Sequence, residues 1–329
     1  MIGRFPRLFA RAIAAAFVAA ITAAVPTVSA QPYPSKPIRL VVPYSPGAGT
    51  DTIARILAQK TGESLGQQVV IDNRPGAGGS IGTEVVAKAP PDGYTLLFAP
   101  TSHAINPGIY PKLGYDTVKD FAPISVVASL PVVLAVEPGV PAASVKELIA
   151  LAKAKPGQLT MASSGNGTVF HLTGELFKDA AGINIVHVPF KGGAPAVAAL
   201  LGGQVSMTFE TSVTLVPHIR SGKLRALGVA SPKRIALLPD VPTLGESGFP
   251  GILAENWYGL FAPAGTPREA IARLYTEFDR AIHSPDVREK LAQQGAEIRE
   301  STPEQTAAFL RTEMTKWAKA IKDSGAKVD

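Results

Sequence analysis

The sequence predicts an α/β protein built as two similar lobes, and three observations carry that reading. β-rich runs alternate with helical spacings along the chain. The alternation restarts near residue 131. A β-run, a proline and an aromatic precede a glycine loop twice, at Val42-Pro43-Tyr44 and at Val188-Pro189-Phe190. Such β-loop-α repetition predicts parallel strands covered by helices. The 329 residues suffice for two ordinary domains, and a hydrophobic content of 46% argues against disorder.

Each element has its own signal. Residues 38–42 are a β-rich run that ends at Pro43, and Ile53, Ile56 and Leu57 then follow at helical spacing. Residues 69–71 and 94–98 read as further strands, with a helix over 81–88 between them. In the second half, 131–136, 159–163, 185–188, 205–209 and 224–229 read as strands. Ser144 followed by Glu147 has capping-box spacing, so a helix opens there, and another starts near Val169. After a Pro/Gly-rich loop over 238–250, residues 257–261 form a strand, and 270–282 and 302–321 are helical. The 31 glycines and 29 prolines fit these many junctions, since they show no collagen-like period.

The first 30 residues read as a secretory signal. Arg4, Arg7 and Arg11 form a positive start, residues 12–25 are apolar, and Val28-Ser29-Ala30 is a small-residue cleavage site, so the mature chain begins at Gln31. The apolar stretch is short for a membrane span, and no twin-arginine pair is present. Removing the segment takes three arginines from a formal charge of +6 and leaves +3. No dense Lys/Arg run remains, so nucleic acid is not an expected partner. The absence of cysteine excludes disulfides, thiolate nucleophiles and a lipoprotein anchor.

Three glycine loops could hold a ligand. In Ser45-Pro46-Gly47-Ala48-Gly49-Thr50-Asp51, small residues let a ligand approach the first N–H groups of a helix, where the dipole favours an anion. The Lys-Ser/Thr ending of a phosphate loop is missing. As a plain turn, Thr50 or Asp51 would be the N-cap; Asp51 is expected to bond backbone rather than a carboxylate. Gly76-Ala77-Gly78-Gly79-Ser80-Ile81-Gly82 lacks the full dinucleotide spacing and reads better as close helix–sheet packing. Ser163-Ser164-Gly165-Asn166-Gly167-Thr168 offers hydroxyls and free N–H groups to a carboxylate or a bridging water.

Catalytic and metal readings find less support. Ser163 with His171 suggests a nucleophile, but no Gly-x-Ser-x-Gly elbow surrounds Ser163. His103, His171, His187, His218 and His283 have no metal-ligand spacing, and no cofactor is expected. His103, in the Thr101-Ser102-His103 loop, is the histidine best placed to line a cleft. Glu210 ends a strand and could face a ligand amine or solvent, whereas Lys191 reads as a solvated loop charge.

The ordered motifs resemble the Bug-type receptors, the extracytoplasmic solute-binding components of tripartite tricarboxylate transporters. Those motifs are Val42-Pro43-Tyr44 with Gly47 and Asp51, Arg74 to Gly79 with Gly82, and Pro91-Asp92-Gly93-Tyr94-Thr95-Leu96. Val188 to Gly192, Gly222 to Leu227, Pro239 to Thr243 and Trp257 to Pro263 complete the series. The resemblance implies a type II-like, two-lobed Venus-flytrap receptor whose chain crosses twice between lobes, near Ser129 and Ala254. Lobe one then comprises 31–129 and 254–329, and lobe two 130–253. It also implies a periplasmic monomer that captures a small carboxylate, without catalysis, for the transporter's membrane subunits. The alternatives are a ligand-sensing adaptor and a periplasmic hydrolase or lyase on the same fold. Contacts carried onto this chain are Tyr44, Ser45, Gly47, Ala48, Gly49, Thr50, Asp51, Thr101, Ser102 and His103. From the second lobe come Ser163, Ser164, Gly165, Asn166, Thr168, Phe190, Lys191, Gly192 and Glu210. Ala48 stands where the family commonly has glycine.

Overall fold

Two sheets share one long strand, and the chain's architecture follows from it. The computed structural model describes residues 33–326, and from Lys36 onward the chain forms one compact unit. The signal segment and its cleavage point lie outside the described residues.

The first sheet begins with β1 (Ile38–Val42), flanked in parallel by β2 (Val69–Asn73) and β3 (Thr95–Pro100). β1 and β3 read as near-continuous apolar runs because helices cover both faces. The covering helices α1 (Gly49–Leu65), α2 (Ser80–Ala87) and α3 (Ser102–Ile109) each follow a strand directly. Next comes β4 (Phe121–Val136), whose 16 residues extend over about 50 Å.

The second sheet takes β5 (Thr160–Ser163), parallel to β6 (Val186–Pro189) and β7 (Met207–Thr211), with β8 (Arg225–Val229) added on β4. Its helices are α4 (Val145–Ala154), α5 (Val169–Ala181), α6 (Gly193–Leu201) and α7 (Ser212–Arg220). Then β9 (Glu255–Pro263) returns antiparallel between β3 and β4, and α8 (Arg268–His283), α9 (Pro285–Gln293), β10 (Glu297–Ile298) and α10 (Pro303–Ser324) finish the chain.

The shared strand explains where the sequence reading fell short. Residues 121–131 of β4 pair with β9, whereas Val132–Val136 pair with β7 and β8. The expected strand began at Pro131, because Pro123 and Pro131 break the β pattern. Bulges between Pro123 and Ser125 and between Val126 and Ala128 absorb the irregularity. Both sheets are therefore mixed rather than wholly parallel: the connecting strands must run against their neighbours. Ser144 caps α4 as expected, accepting from Glu147 N at 3.2 Å; Glu147 itself reaches Ala143 N, one residue beyond the box position. The helices 102–109, 193–201, 212–220 and 285–293 had no clear periodic signal, being short and interrupted by Pro107, Pro195 and Pro217 or begun at Pro285.

Candidate functional site

The loops that leave the carboxyl ends of β1, β3, β5 and β7 converge where the two sheets face each other, the usual ligand position in open α/β sheets. Two chambers lie there. The inner one encloses about 10 Å³, roughly the room of one water, and is walled by Tyr44, Ala48, Gly49 and Thr50 on one side and Ser164, Thr168, Gly193 and Glu210 on the other. The outer one encloses about 270 Å³ and adds Gly76 to Gly79, Tyr110, Gly165, Asn166, Phe190 and Lys191. Tyr44 and Ser164 belong to both.

The start of α1 shows why the first loop reaches the chamber. Ala48, the N-cap, has no side-chain acceptor, so the first-turn N–H groups of Gly49 and Thr50 carry no side-chain cap at the chamber wall. Neither Thr50 nor Asp51 is the cap. Asp51 instead turns back and accepts from Gly47 N (3.0 Å), Arg55 Nε (2.9 Å) and Asn73 Nδ2 (3.0 Å). Burial pushes its carboxyl up, but those three donors outweigh it and hold it below the usual range. It braces the loop from behind.

Tyr44 stands between the chambers. Its Oη donates to Gly78 O at 2.9 Å and lies 2.8 Å from Ser102 Oγ. A carbonyl can only accept, so Tyr44 gives its proton to Gly78 and Ser102 completes the bond. Burial pushes the Tyr44 phenol well up, so it stays neutral.

On the opposite wall, Thr168 caps α5 by accepting from His171 N, and its own hydroxyl donates to Gly165 O at 2.8 Å. Glu210 is 2% exposed. It accepts from Ser164 Oγ at 2.5 Å, Thr211 N at 2.8 Å and the Thr211 hydroxyl at 3.2 Å. Burial outweighs these bonds and raises its carboxyl to about 7.

Direct bonds hold the facing loops together. Ser45 Oγ donates to Lys191 O at 2.8 Å, and Tyr110 Oη donates to Asn166 O at 2.9 Å. Glycines make the approach this close. A Cβ on Gly49 would sit 2.8 Å from Thr211 Oγ1, and one on Gly78 would sit 2.2 Å from Asn166 O.

The chain matches the family model described as the tripartite tricarboxylate transporter family receptor over residues 53–326. It is 41% identical to Protein BugT of Bordetella pertussis, covering 96% of this chain and 98% of that one. The chain belongs to this receptor family. A solved structure described as a periplasmic transporter is 42% identical with a TM-score of 0.87, covering 90% of this chain and 100% of its own. An R. palustris protein solved with adipate is 36% identical with the same TM-score and the same coverage. The receptor is thus a periplasmic solute-binding protein with the two-lobed, type II-like fold, not an enzyme.

Several residues expected at the receptor's cleft stand elsewhere. His103 lines neither chamber: it is 1% exposed and packs against Tyr115, Phe121 and Phe261 at ring distances of 4.9 to 6.3 Å. Burial holds its ring down to about 3, so it is a neutral core residue. Thr101 ties β3 to β9, with its hydroxyl 2.9 Å from Trp257 N and 3.2 Å from Glu255 O. Ser163 is fully buried, 2.6 Å from His187 Nε2, so that serine–histidine contact offers no accessible nucleophile. Gly47 donates to Asp51, and Gly192 abuts Ser45, so both shape the facing loops from behind the lining.

Other wall residues gave no signal in the sequence. Pro100, Val169, Phe170, Thr211 and Asn256 line the inner chamber without any motif to mark them. The spacing of the Gly76–Gly79 loop predicts packing alone. Gly82 does pack, since a Cβ there would meet Arg74 O at 2.7 Å, while Gly76 to Gly79 also wall the outer chamber. Among the described residues no His/Cys/Asp/Glu group could hold a metal ion, and no helix is long and apolar enough to cross a membrane.

Proposed function

We propose that the receptor captures one small carboxylate between its lobes and presents it to the membrane subunits of a tripartite tricarboxylate transporter. The observation that carries this reading is the convergence of four helix starts, those of α1, α3, α5 and α6, on one inner chamber rich in small and hydroxyl residues. Helix N-termini supply partial positive charge and directed N–H groups, which suit a carboxylate without an arginine. The outer chamber, about 270 Å³, has room for the body of a short acid, with one carboxylate oxygen taking the one-water space of the inner chamber. Adipate in the R. palustris relative supports the same class.

In this reading the contacts are Tyr44, Ala48, Gly49, Thr50, Ser102, Ser164, Thr168 and Glu210 inside, with Gly165, Asn166, Phe190 and Lys191 outside. Ser45 and Gly192 close the cleft. Lobe one spans 31–129 and 254–329, and lobe two spans 130–253; the change of β4 partners at Pro131–Val132 supports the first crossing. Secretion removes residues 1–30, and the receptor acts as a monomer; the intact mass of the exported protein and light scattering test these two points.

The deciding experiment is a calorimetric screen of mono-, di- and tricarboxylates and acidic amino acids on protein purified from the periplasm. One-to-one binding of an acid is expected, with stabilisation of about 4 kcal/mol at a thousandfold excess over Kd. Silence across the panel, with a folded protein, would overturn the reading.

A further inference from the structure

Glu210 is the only charged residue type in the wall of the inner chamber, and its surroundings are unusual for a site that receives an anion. The groups facing it come from both sheets. Ser164 approaches from the β5–α5 loop and Thr211 from the end of its own strand, with Thr214 bonded to the Thr211 hydroxyl at 3.0 Å. Gly193 at the start of α6 lies against Oε2, with Ala48 beyond it, and the phenols of Tyr44 and Tyr258 feel its charge from the first sheet. None of these is a cation, and the start of α6 contributes partial charge only.

The nearest ionisable groups are engaged elsewhere or stand off. Asp51 is held by Arg55, and His187 is turned to Ser163 and stacked on His171 at 4.1 Å. Lys191 is exposed at the outer chamber, and among the described residues no ion pair reaches Glu210. A carboxylate entering the inner chamber therefore meets a second carboxyl that nothing neutralises. Two such charges sharing a dry site cannot both stay ionised without a large penalty.

Resting on carboxylate capture as proposed above, the geometry points to Glu210 as a specificity-determining residue: it takes a proton from solvent as the ligand anion enters, so the receptor captures its acid together with one proton. The ligand stays an anion, and the new O–H of Glu210 donates to it. Burial already holds this carboxyl at about 7, so near neutral pH the proton is readily taken up. The cleft then favours a carboxylate at this position over an ammonium, which would pair with the ionised form.

The test is calorimetry with adipate, malate and aspartate as probes, in buffers of different ionisation enthalpy, from about pH 6 to about pH 9, where the two dicarboxylic acids remain dianions. Close to one proton taken up per bound dicarboxylate is expected at about pH 8, with affinity falling nearly tenfold per pH unit above about 7. Glu210→Gln is expected to abolish both the proton uptake and the slope; its absolute affinity is not the readout. Should Glu210→Gln fail to fold, infrared titration of the wild-type buried carboxyl C=O band, with and without ligand, reads the same proton. Binding with a flat pH profile, or an aspartate preference that grows with pH, overturns the proposal while leaving carboxylate capture intact. No binding of these probes or of any acid in the panel above, by either protein at any pH, overturns the capture reading and this inference with it.

Discussion

A carboxyl buried among neutral donors costs the fold stability whenever it is ionised, and at Glu210 that cost has a definite pH signature. Its native value is raised from 4.5 to about 7, so the folded protein binds the proton more tightly than the unfolded chain. Stability from this group is therefore full below about 4.5, declines as pH rises toward 7, and stays low above it. In Glu210→Gln the Thr211 N–H keeps an amide carbonyl to bond, and the Ser164 hydroxyl turns to accept from the amide N–H. Urea unfolding at about pH 8 is expected to show the variant more stable by on the order of 3 kcal/mol, with the gap closing toward pH 4.5. A constant gap across that range would assign the effect to packing instead. At this scale the sequence is only partly legible. Glycines, serines and threonines after strands announce the loops, and Ser164 and Thr168 do line the chamber. Direction within a loop is what it lacks: of Thr101, Ser102 and His103, three neighbours in one turn, only Ser102 faces the cleft.

Elements are held to one another by a few buried polar bonds that the sequence does not advertise. Glu313 on α10 accepts from both Trp257 Nε1 and Trp317 Nε1, each at 2.9 Å, and so fastens the last helix to β9. Both indoles are 1% exposed. Glu313→Ala leaves two buried donors without a partner, and a loss of about 2–4 kcal/mol in urea unfolding is expected, with ligand stoichiometry unchanged. A loss no larger than that of an exposed helix substitution would contradict the bridge. The period of α10 shows an amphipathic helix, with Thr302 and Gln305 forming a capping box at its start. Which strand it docks on is non-local information, carried by residues some 56 positions apart. The same limit hid the first half of β4. Its prolines contradict a strand locally, and only pairing with β9 from much later in the chain makes it one.

At the scale of the whole molecule, capture requires two lobes to come together, and the glycines of the facing loops set how closely. Gly49 has an ordinary helical backbone, so alanine there strains nothing locally; its methyl instead meets Thr211 Oγ1 at 2.8 Å, Tyr258 Oη at 3.0 Å and Val213 Cγ1 at 3.0 Å. Thr211 and Val213 belong to the second sheet's side, so against them the added carbon acts as a wedge in the closed form alone; Tyr258 on β9 shares Gly49's lobe, and its hydroxyl must give by a few tenths of an ångström in either form. Gly49→Ala is therefore expected to bind carboxylate at least tenfold more weakly, a penalty of about 1.4 kcal/mol or more. Its unfolding free energy without ligand should change less, since an open receptor relieves the Thr211 and Val213 contacts and leaves only the Tyr258 hydroxyl to shift. Gly251→Ala, where nothing lies within 4 Å of the new carbon, is the matched control. Small-angle scattering reads the difference directly: on adding ligand, wild type and Gly251→Ala should contract, while Gly49→Ala stays extended. If Gly49→Ala contracts and binds like wild type, the glycine is not what lets the lobes close, and the start of α1 contributes to capture through its N–H groups alone.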